Sequence, residues 1–167
     1  MALIPRARPG RRINAFRKQV FDAHDVDAID RFLAPDAVVH GVAPGVDDRA
    51  GYARTMGRYF EAFPDFHAEH EAVLVRGDTA VTRWTVTGTH TGPLRFVGPD
   101  GHEYELGPTG REVCVSGFDM YRFEGGQIAE LWQRYDSFDL LGQLGLLSLD
   151  GLRHVPELVR SRFAPSA

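Results

Sequence analysis

Two pairs of long strand-like segments, each joined at a glycine-containing turn, constrain the fold of this chain more than any other feature. The pairs are residues 66–75 and 79–91 around Gly77-Asp78, and residues 111–124 and 127–136 around Gly125-Gly126. Such turns are typical of β-hairpins, because glycine readily adopts the positive φ that they require. The sequence therefore predicts four long strands in an antiparallel sheet.

Helical segments precede these hairpins. Apolar residues recur at helical spacing in residues 13–23 and 48–63, and Asp25 is placed to cap a short helix between them. Residues 37–41 resemble a short strand, and residues 137–149 a final amphipathic helix. This order favours an α+β fold. We expect a cone-shaped, curved antiparallel sheet that wraps around the N-terminal helices and encloses a pocket at its wide end.

Length and charge bound the organisation of the chain and its partners. Its 167 residues fit one domain. We expect a flexible basic arm over residues 1–12, the α+β domain over residues 13–149 and a tail over residues 150–167. The formal net charge of −4 offers no positive field for nucleic acid. No apolar run approaches the roughly 20 residues that span a bilayer, and none follows the basic N-terminus. We therefore expect a cytoplasmic protein with no nucleic-acid or membrane partner.

Five segments carry a resemblance to a known family. They are DVDAIDRFLAPDAVVHG at 25–41, YFEAFPDF at 59–66, RWTVTGTHTG at 83–92, PTGREVCVSGFDMYRFEGGQIAELW at 108–132 and YDSFDLLGQLG at 135–145. In order and spacing they resemble the SnoaL-like polyketide cyclases and ester cyclases of the nuclear-transport-factor-2-like superfamily. The chain departs from that family in its longer segment 92–110 and in Asp139, where an apolar or small residue is common.

The resemblance implies a cone-like α+β fold and a homodimer or homotetramer. It also implies intramolecular aldol ring closure of a small hydrophobic polycarbonyl substrate, without metal, nucleotide or other cofactor. In that family an aspartate four residues after the tryptophan of the last strand serves as acid/base. Trp132 and Asp136 have this spacing, so Asp136 is the predicted catalytic residue. Its alternative role is the N-cap of the helix that follows.

The last hairpin suggests which side chains accompany Asp136. With a two-residue turn at Gly125-Gly126, Asp119 lies opposite Trp132 and Val115 opposite Asp136. Because side chains alternate along a strand, the expected pocket face consists of Asp119, Tyr121, Glu130, Trp132, Arg134 and Asp136. The other face consists of Phe118, Met120, Ala129, Leu131 and Tyr135, and needs cover from a helix or a second subunit.

Other candidates for substrate contact are two histidines and several aromatic residues. His90 and His40 end predicted strands, where either could hold a substrate carbonyl or tune Asp136, or be an ordinary structural histidine. Asp119 is either a second pocket carboxylate or half of a structural ion pair. The aromatic candidates are Trp132, Tyr59, Phe63, Trp84 and Tyr121. His67 and His70 point to opposite faces of their strand, so we expect no metal site there.

Two other functions remain open on this scaffold. One is a different enzyme, such as an isomerase or an epoxide hydrolase; the hydrolase requires Asp119, Asp136 and Arg134 to converge on one water. The other is a non-catalytic domain that binds a small molecule, which a collapsed pocket filled by Trp84, Trp132 and Phe118 would favour. A fold by itself does not decide among these functions.

Overall fold

The computed structural model describes residues 9–97 and 101–147, and this part of the chain contains four α-helices and seven β-strands. The helices are α1 (Pro9–Phe16), α2 (Ile29–Phe32), α3 (Arg49–Ala62) and α4 (Ser137–Gln143). The strands are β1 (Leu33–His40), β2 (His67–Arg76), β3 (Thr79–Thr89), β4 (Leu94–Val97), β5 (Glu103–Leu106), β6 (Glu112–Glu124) and β7 (Gln127–Tyr135). A π-helical segment, Arg17–Asp22, continues α1, and a 3-10 turn, Val26–Ala28, leads into α2.

Side-chain caps begin three of these segments. Asp25 accepts a hydrogen bond of 3.2 Å from the Ala28 amide, as predicted from the sequence. Asp48 accepts one of 2.6 Å from the Gly51 amide at the start of α3. Asp136 accepts one of 3.0 Å from the Asp139 amide at the start of α4. Each carboxylate satisfies an amide that has no partner within the helix.

The main sheet has five strands in the order β1-β7-β6-β3-β2. The four long strands pair antiparallel, which confirms the α+β fold with a curved antiparallel sheet. β1 joins the edge parallel to β7, a pairing that the sequence analysis did not include. The helices α1–α3 pack on the concave face, where their apolar side chains form a buried cluster with alternate residues of the strands.

The predicted register of the last hairpin is wrong beyond its turn. Glu124 pairs with Gln127 as expected, but a bulge leaves Ala129 without a partner on β6. Met120 therefore lies opposite Trp132, and Asp119 lies opposite Gln133. Because one extra residue moves every later side chain to the other face of the sheet, the predicted pocket face is divided. Asp119 and Tyr121 point to the concave side with Leu131 and Tyr135, whereas Glu130, Trp132 and Arg134 share the opposite face with Phe118 and Met120.

The segment 92–110, which is longer than its counterpart in the family that the sequence resembles, contains the two strands of a second sheet. β4 and β5 form a hairpin whose Leu94 and Leu106 are buried with Phe63, Val113 and Leu144 in a separate apolar cluster. This cluster joins the hairpin to the C-terminal ends of α3 and α4. The hairpin is thus packed beside the site described below.

The predicted boundaries are only partly covered by the described residues. α1 begins at Pro9, so the last four residues of the predicted arm 1–12 are helical. Residues 1–8 of that arm and the predicted tail 150–167 lie outside the described part of the chain. α4 ends at Gln143, several residues before the predicted end at 149. Within the described residues, no helix is long and apolar enough to cross a membrane.

Candidate active site

Two adjacent cross-strand rows of side chains line the concave face of the sheet. In one row Trp84 lies between His70 on β2 and Gly117 on β6, and Gly117 faces Tyr135 on β7. In the next row Thr82 pairs with Asp119, and Asp119 pairs with Gln133. Directly opposite residues share a face of the sheet. The rows therefore bring together ionisable, hydrogen-bonding and aromatic side chains from four strands.

These rows form one wall of a cavity. Met56 and Tyr59 of α3 and Phe63, the residue that follows this helix, form the opposite wall, and Leu140 of α4 lies at one side. The cavity contains about 80 Å³ in which the centre of a water molecule fits. Its lining is mostly apolar, as in pockets that bind small organic molecules. Asp119 is the only carboxylate in that lining, which is drawn from the described residues.

Asp119 is almost completely buried, with 4% of its surface exposed. Its Oδ2 accepts a hydrogen bond of 2.7 Å from the Tyr121 hydroxyl. Oδ1 makes no hydrogen bond of full geometry among the described residues, although Trp84 and Gln133 lie close enough to the carboxylate to act on it as donors. Burial raises the pKa of Asp119 from 3.8 to about 6, although Tyr121, Trp84 and Gln133 favour the ionised form. A carboxyl with such a pKa is ionised at neutral pH and still gains a proton readily.

Trp84 is positioned by a glycine on the neighbouring strand. A Cβ at Gly117 would lie 2.4 Å from Cζ2 of Trp84 and 2.6 Å from the carbonyl oxygen of Arg134. The missing side chain therefore lets the indole lie over β6, diagonally next to Asp119. Trp84 is 7% exposed, and its Nε1–H makes no hydrogen bond of full geometry in the described part of the chain, although it lies close enough to Asp119 to favour the ionised carboxyl.

His70 is a second titratable residue of the cavity. Burial lowers the pKa of His70 from 6.5 to about 4, with a smaller contribution in the same direction from Arg17, so the imidazole is neutral at pH 7. Its buried Nδ1 has no partner within the described ranges. The residue after it, Glu71, is the extra residue of a bulge between β2 and β3. Bulges commonly occur near active sites, where they redirect side chains.

Two tyrosines meet at the side of the cavity nearest α3. The hydroxyls of Tyr59 and Tyr135 lie 3.2 Å apart, and Tyr135 also donates to the Val42 carbonyl at 3.4 Å. Burial raises the pKa of Tyr59 well above its ordinary value, so this hydroxyl stays protonated. The pair adds a polar edge to an otherwise apolar wall.

Four of the residues predicted from the sequence to contact substrate line the cavity: Tyr59, Phe63, Trp84 and Asp119. Tyr121 lies behind Asp119 and touches the cavity only through it. Polar lining residues that were not predicted from the sequence include His70, Gln133 and Tyr135. The alternation Ala68-Glu69-His70 could have indicated His70, since Ala68 is buried and His70 shares its face.

The other four predicted residues lie away from the cavity. Asp136 is exposed and caps α4, so its capping alternative is observed, and its carboxylate is not among the lining groups. Trp132 stacks on His40 on the opposite face of the sheet, with ring centroids 5.2 Å apart. His40 Nε2 donates to Glu130 at 3.0 Å. His90 is buried against Phe63, and its Nδ1 accepts from the Thr109 amide at 3.2 Å, an arrangement that holds the loop before β6.

Metal ligands are not clustered in the part of the chain that the structure describes. No group of three or more histidine, cysteine, aspartate or glutamate side chains is close enough there to hold an ion.

Comparison with known proteins now identifies the family. The family described as SnoaL-like polyketide cyclase matches residues 11–144. The chain belongs to this family. Among solved structures, TsrD from Streptomyces laurentii is 25% identical with a TM-score of 0.68, over 83% of this chain and 95% of that one. IdmH from Streptomyces antibioticus, which has been proposed to be a polyketide cyclase, is 30% identical with a TM-score of 0.65, over 83% and 99%.

A third similar structure carries a different proposed activity. AclR from Streptomyces galilaeus, which has been proposed to be a hydroxylase, is 25% identical with a TM-score of 0.65, over 83% of this chain and 98% of that one. None of the curated proteins matches the sequence significantly. Family membership thus agrees with the cone-like fold and its cavity, and the reaction has to be argued from the residues in that cavity.

Proposed function

We propose that this SnoaL-like protein is a cofactor-independent cyclase that closes a ring by an intramolecular aldol reaction, with Asp119 as the acid/base. The observation that carries the proposal is the position of Asp119. It is a buried carboxylate with one oxygen, Oδ1, that lacks a hydrogen-bond partner among the described residues and borders an apolar cavity. Such a group is available for a substrate proton.

The proposed reaction has two proton transfers and needs one carboxyl. Asp119 takes a proton from a carbon between two carbonyl groups, and the electrons of that C–H bond form an enolate. The enolate carbon attacks a second carbonyl carbon of the same molecule, so that a C–C bond forms and its oxygen becomes an alkoxide. Protonated Asp119 returns the proton to the alkoxide, which restores the carboxylate.

The cavity favours an uncharged, carbonyl-bearing substrate. Its lining consists mainly of aromatic and aliphatic side chains and contains no lysine or arginine from the described residues. A substrate carboxylate would therefore meet Asp119 without a compensating cation. A folded polycarbonyl chain gains from the shape of the cavity because its two reacting carbons are held close together.

Asp119, rather than Asp136, is the proposed acid/base. Asp136 has the family's spacing after Trp132, but its carboxylate is committed to the Asp139 amide and is exposed. The epoxide hydrolase alternative is less well supported, because Arg134 and Asp136 do not join Asp119 in the cavity lining. A non-catalytic binding domain was expected to have a pocket filled by Trp84, Trp132 and Phe118. Trp132 and Phe118 lie on the opposite face of the sheet and do not fill it.

Two small probes test the proposal. Exchange of the methylene protons of ethyl acetoacetate with D2O, followed by NMR, measures proton abstraction. Ring closure of heptane-2,6-dione, a diketone that can undergo an intramolecular aldol reaction, measures the bond-forming step. We expect Asp119→Asn to lower both rates by about 10²–10⁴-fold, and Asp136→Asn to leave them within a few fold of the wild type.

Each other outcome has a definite meaning. Loss of both activities in Asp136→Asn, with Asp119→Asn unaffected, would return the acid/base role to Asp136. Equal rates in all three proteins would refute an aspartate-catalysed reaction. Exchange without ring closure would favour the isomerase alternative, which shares the proton-transfer step.

We also propose that the protein assembles as a homodimer through the face of the sheet opposite the cavity. Registered pairs produce an outward row across all five strands: Leu74, Val81, Met120, Trp132 and His40. Phe118, 55% exposed, stands in the next row between Arg83 and Arg134. This face carries acidic and basic residues as well, so a second copy related by a two-fold axis can match it with opposite charges.

A further inference from the structure

Three unpartnered polar atoms belong to residues that line one wall of the cavity. They are Nδ1 of His70, Nε1 of Trp84 and Oδ1 of Asp119, each buried and without a hydrogen-bond partner in the described part of the chain. A buried polar atom that lacks a partner destabilises the fold, because it has given up its hydrogen bond to water without replacing it. Three such atoms on one wall of a cavity indicate a place where bound molecules supply the missing partners.

Trp84 is the most informative of the three because an indole N–H only donates. It has no acceptor lone pair, and it does not change its protonation state at any pH relevant here. The Asp119 carboxylate is close enough to interact with this N–H, but no hydrogen bond of full geometry is formed. A bound molecule can therefore complete the hydrogen bonding of Trp84 only with an oxygen or another acceptor. The position of this donor is also fixed, since the indole is 93% buried and rests over Gly117.

Asp119 gives the same position a complementary acceptor. Trp84 pairs with Gly117, and Thr82 pairs with Asp119, so Trp84 and Asp119 are diagonal neighbours on the concave face. The indole favours the ionised form of the Asp119 carboxyl, which places its N–H dipole near the carboxylate charge. When Asp119 takes a proton, that negative charge moves to the substrate oxygen beside it, and the dipole remains.

We propose that Trp84 is a further catalytic residue, whose Nε1–H donates a hydrogen bond to the enolate oxygen that forms when Asp119 removes the substrate proton. This inference rests on the proposed function. In the step, the C–H electron pair becomes the C=C bond of the enolate, the carbonyl π electrons move to oxygen, and the proton goes to Oδ1 of Asp119. The donor acts where charge develops, and a fixed donor in an apolar site stabilises such charge strongly.

Asp119 and Trp84 together restrict which functional groups the substrate can carry. One ligand segment must present an acidic C–H to Asp119 and a carbonyl oxygen to Trp84, which is the pattern of an enolisable ketone or 1,3-dicarbonyl. His70 lies across from Trp84 in the same row and is neutral at pH 7. Its imidazole supplies a hydrogen bond to a second oxygen without adding charge. A 1,3-dicarbonyl segment fits all three side chains at once.

The test uses the indole N–H signals of the unmodified, ¹⁵N-labelled protein. The chain has two tryptophans, and the Trp132→Phe variant assigns the signals, since Trp132 lies on the opposite face. The probe is 1,3-cyclohexanedione, which ionises to a stable enolate, and the matched control is cyclohexanone, which does not. Both are added at about pH 5, where Asp119 is mostly protonated, so that the enolate does not meet a second negative charge. We expect the dione to move the Trp84 proton signal downfield by more than cyclohexanone does, and to leave Trp132 unchanged.

Binding itself is followed through the methyl group of Met56, which lines the cavity. If the dione saturates the Met56 signal while the Trp84 N–H stays in place, the proposal is overturned. Equal shifts with cyclohexanone overturn it as well, because they show a donor that binds ketones and enolates alike. Failure of the dione to shift Met56 at all also contradicts a site built for an enolate.

Kinetics provide a second, independent readout. In the ethyl acetoacetate exchange, Trp84→Phe is expected to lower kcat by about 10²-fold, with KM little changed. The matched control Trp132→Phe keeps the wild-type rate. Wild-type kcat in Trp84→Phe overturns the inference and leaves Asp119 untouched. If Asp119→Asn exchanges the protons of ethyl acetoacetate as fast as the wild type, the proposed function is refuted instead. The N–H shifts still decide whether Trp84 donates to a bound enolate.

Discussion

The hydroxyl of Tyr121 donates a hydrogen bond of 2.7 Å to Oδ2 of Asp119, and both side chains are buried. This bond favours the ionised carboxyl, against the effect of burial on its pKa. Tyr121 thus stands behind the cavity as a positioning residue: it holds one oxygen of Asp119 and leaves the other facing the ligand.

Tyr121→Phe is expected to raise the pKa of Asp119 above about 6, because it removes a donor to the carboxylate and leaves the burial unchanged. As pH falls, the ionised Asp119 that acts as the base would then be protonated at a higher pH than in the wild type. The acid limb of the kcat/KM profile therefore moves to higher pH. Titration of the Asp119 carboxyl carbon by ¹³C NMR measures the pKa without any substrate. Tyr104→Phe, on β5 of the separate two-stranded sheet, is the control. An unchanged Asp119 pKa would show that the hydrogen bond contributes nothing.

The raised pKa of Asp119 also predicts how stability depends on pH. The folded state holds the proton of Asp119 more tightly than the unfolded chain does. Protonated Asp119 therefore stabilises the fold fully below about pH 4, and this stabilisation is lost as pH rises through about 6. The difference between 3.8 and about 6 corresponds to on the order of 3 kcal/mol. Asp119→Asn, which is neutral throughout, should therefore be more stable than the wild type at pH 8.

Urea unfolding of both proteins at pH 4 and pH 8 checks this expectation. At pH 4 the wild-type carboxyl is mostly protonated in the fold, and the two free energies of unfolding should approach each other. An Asn variant that is less stable by the same amount at both pH values would mean that Asp119 is not buried as a charge.

Gly117→Ala tests whether the absence of a side chain at position 117 positions the indole of Trp84. The new Cβ would lie 2.4 Å from Cζ2 of Trp84, so either the indole or the backbone of β6 must move. We expect a loss of about 1–3 kcal/mol in the free energy of unfolding. In the Trp132→Phe background, where Trp84 is the remaining tryptophan of the two, we also expect an altered fluorescence spectrum. The control is Gly57→Ala on α3, where the nearest atom is at 3.8 Å, and a gain of about 0.5–1 kcal/mol is expected. Equal effects at both positions would contradict the packing argument.

Met120→Glu tests the proposed dimer. Met120 is exposed in the outward row between Val81 and Trp132. A carboxylate there would be buried in the interface between two apolar neighbours, so the dimer should convert to a monomer. Phe138→Glu on α4 is the matched control, since Phe138 is also exposed and lies away from that row. Sedimentation velocity measures both. A monomeric wild type, or a dimer that survives Met120→Glu, would refute an interface on this face.

The elements of the fold were largely predictable because their signals are local. Glycine turns at Gly77 and Gly125, with φ of 59° at both positions, define the two hairpins. The caps Asp25 and Asp136 need only the next three residues. Helical spacing over residues 48–63 also placed Tyr59 and Phe63 on one apolar stripe, and both line the cavity.

The composition of the site was less predictable, because it depends on pairing between strands. The alternation along β7 was read correctly, but the bulge at Ala129 reversed its faces relative to β6. Trp132 consequently left the predicted pocket face, and Gln133 and Tyr135 entered the cavity. His70 was considered only as a metal ligand, and its role depends on a further bulge at Glu71.

By itself, the sequence determined the class of fold, the positions of the turns and caps, and the family. These follow from hydrophobic periodicity, backbone preferences and short-range hydrogen bonds, which act over a few residues. Only the tertiary structure decided that Asp119, Trp84 and His70 share one wall while Asp136 caps a helix. The physical reason is that side chains alternate with a period of two, so one unpaired residue in a ladder exchanges the inside and outside of a strand.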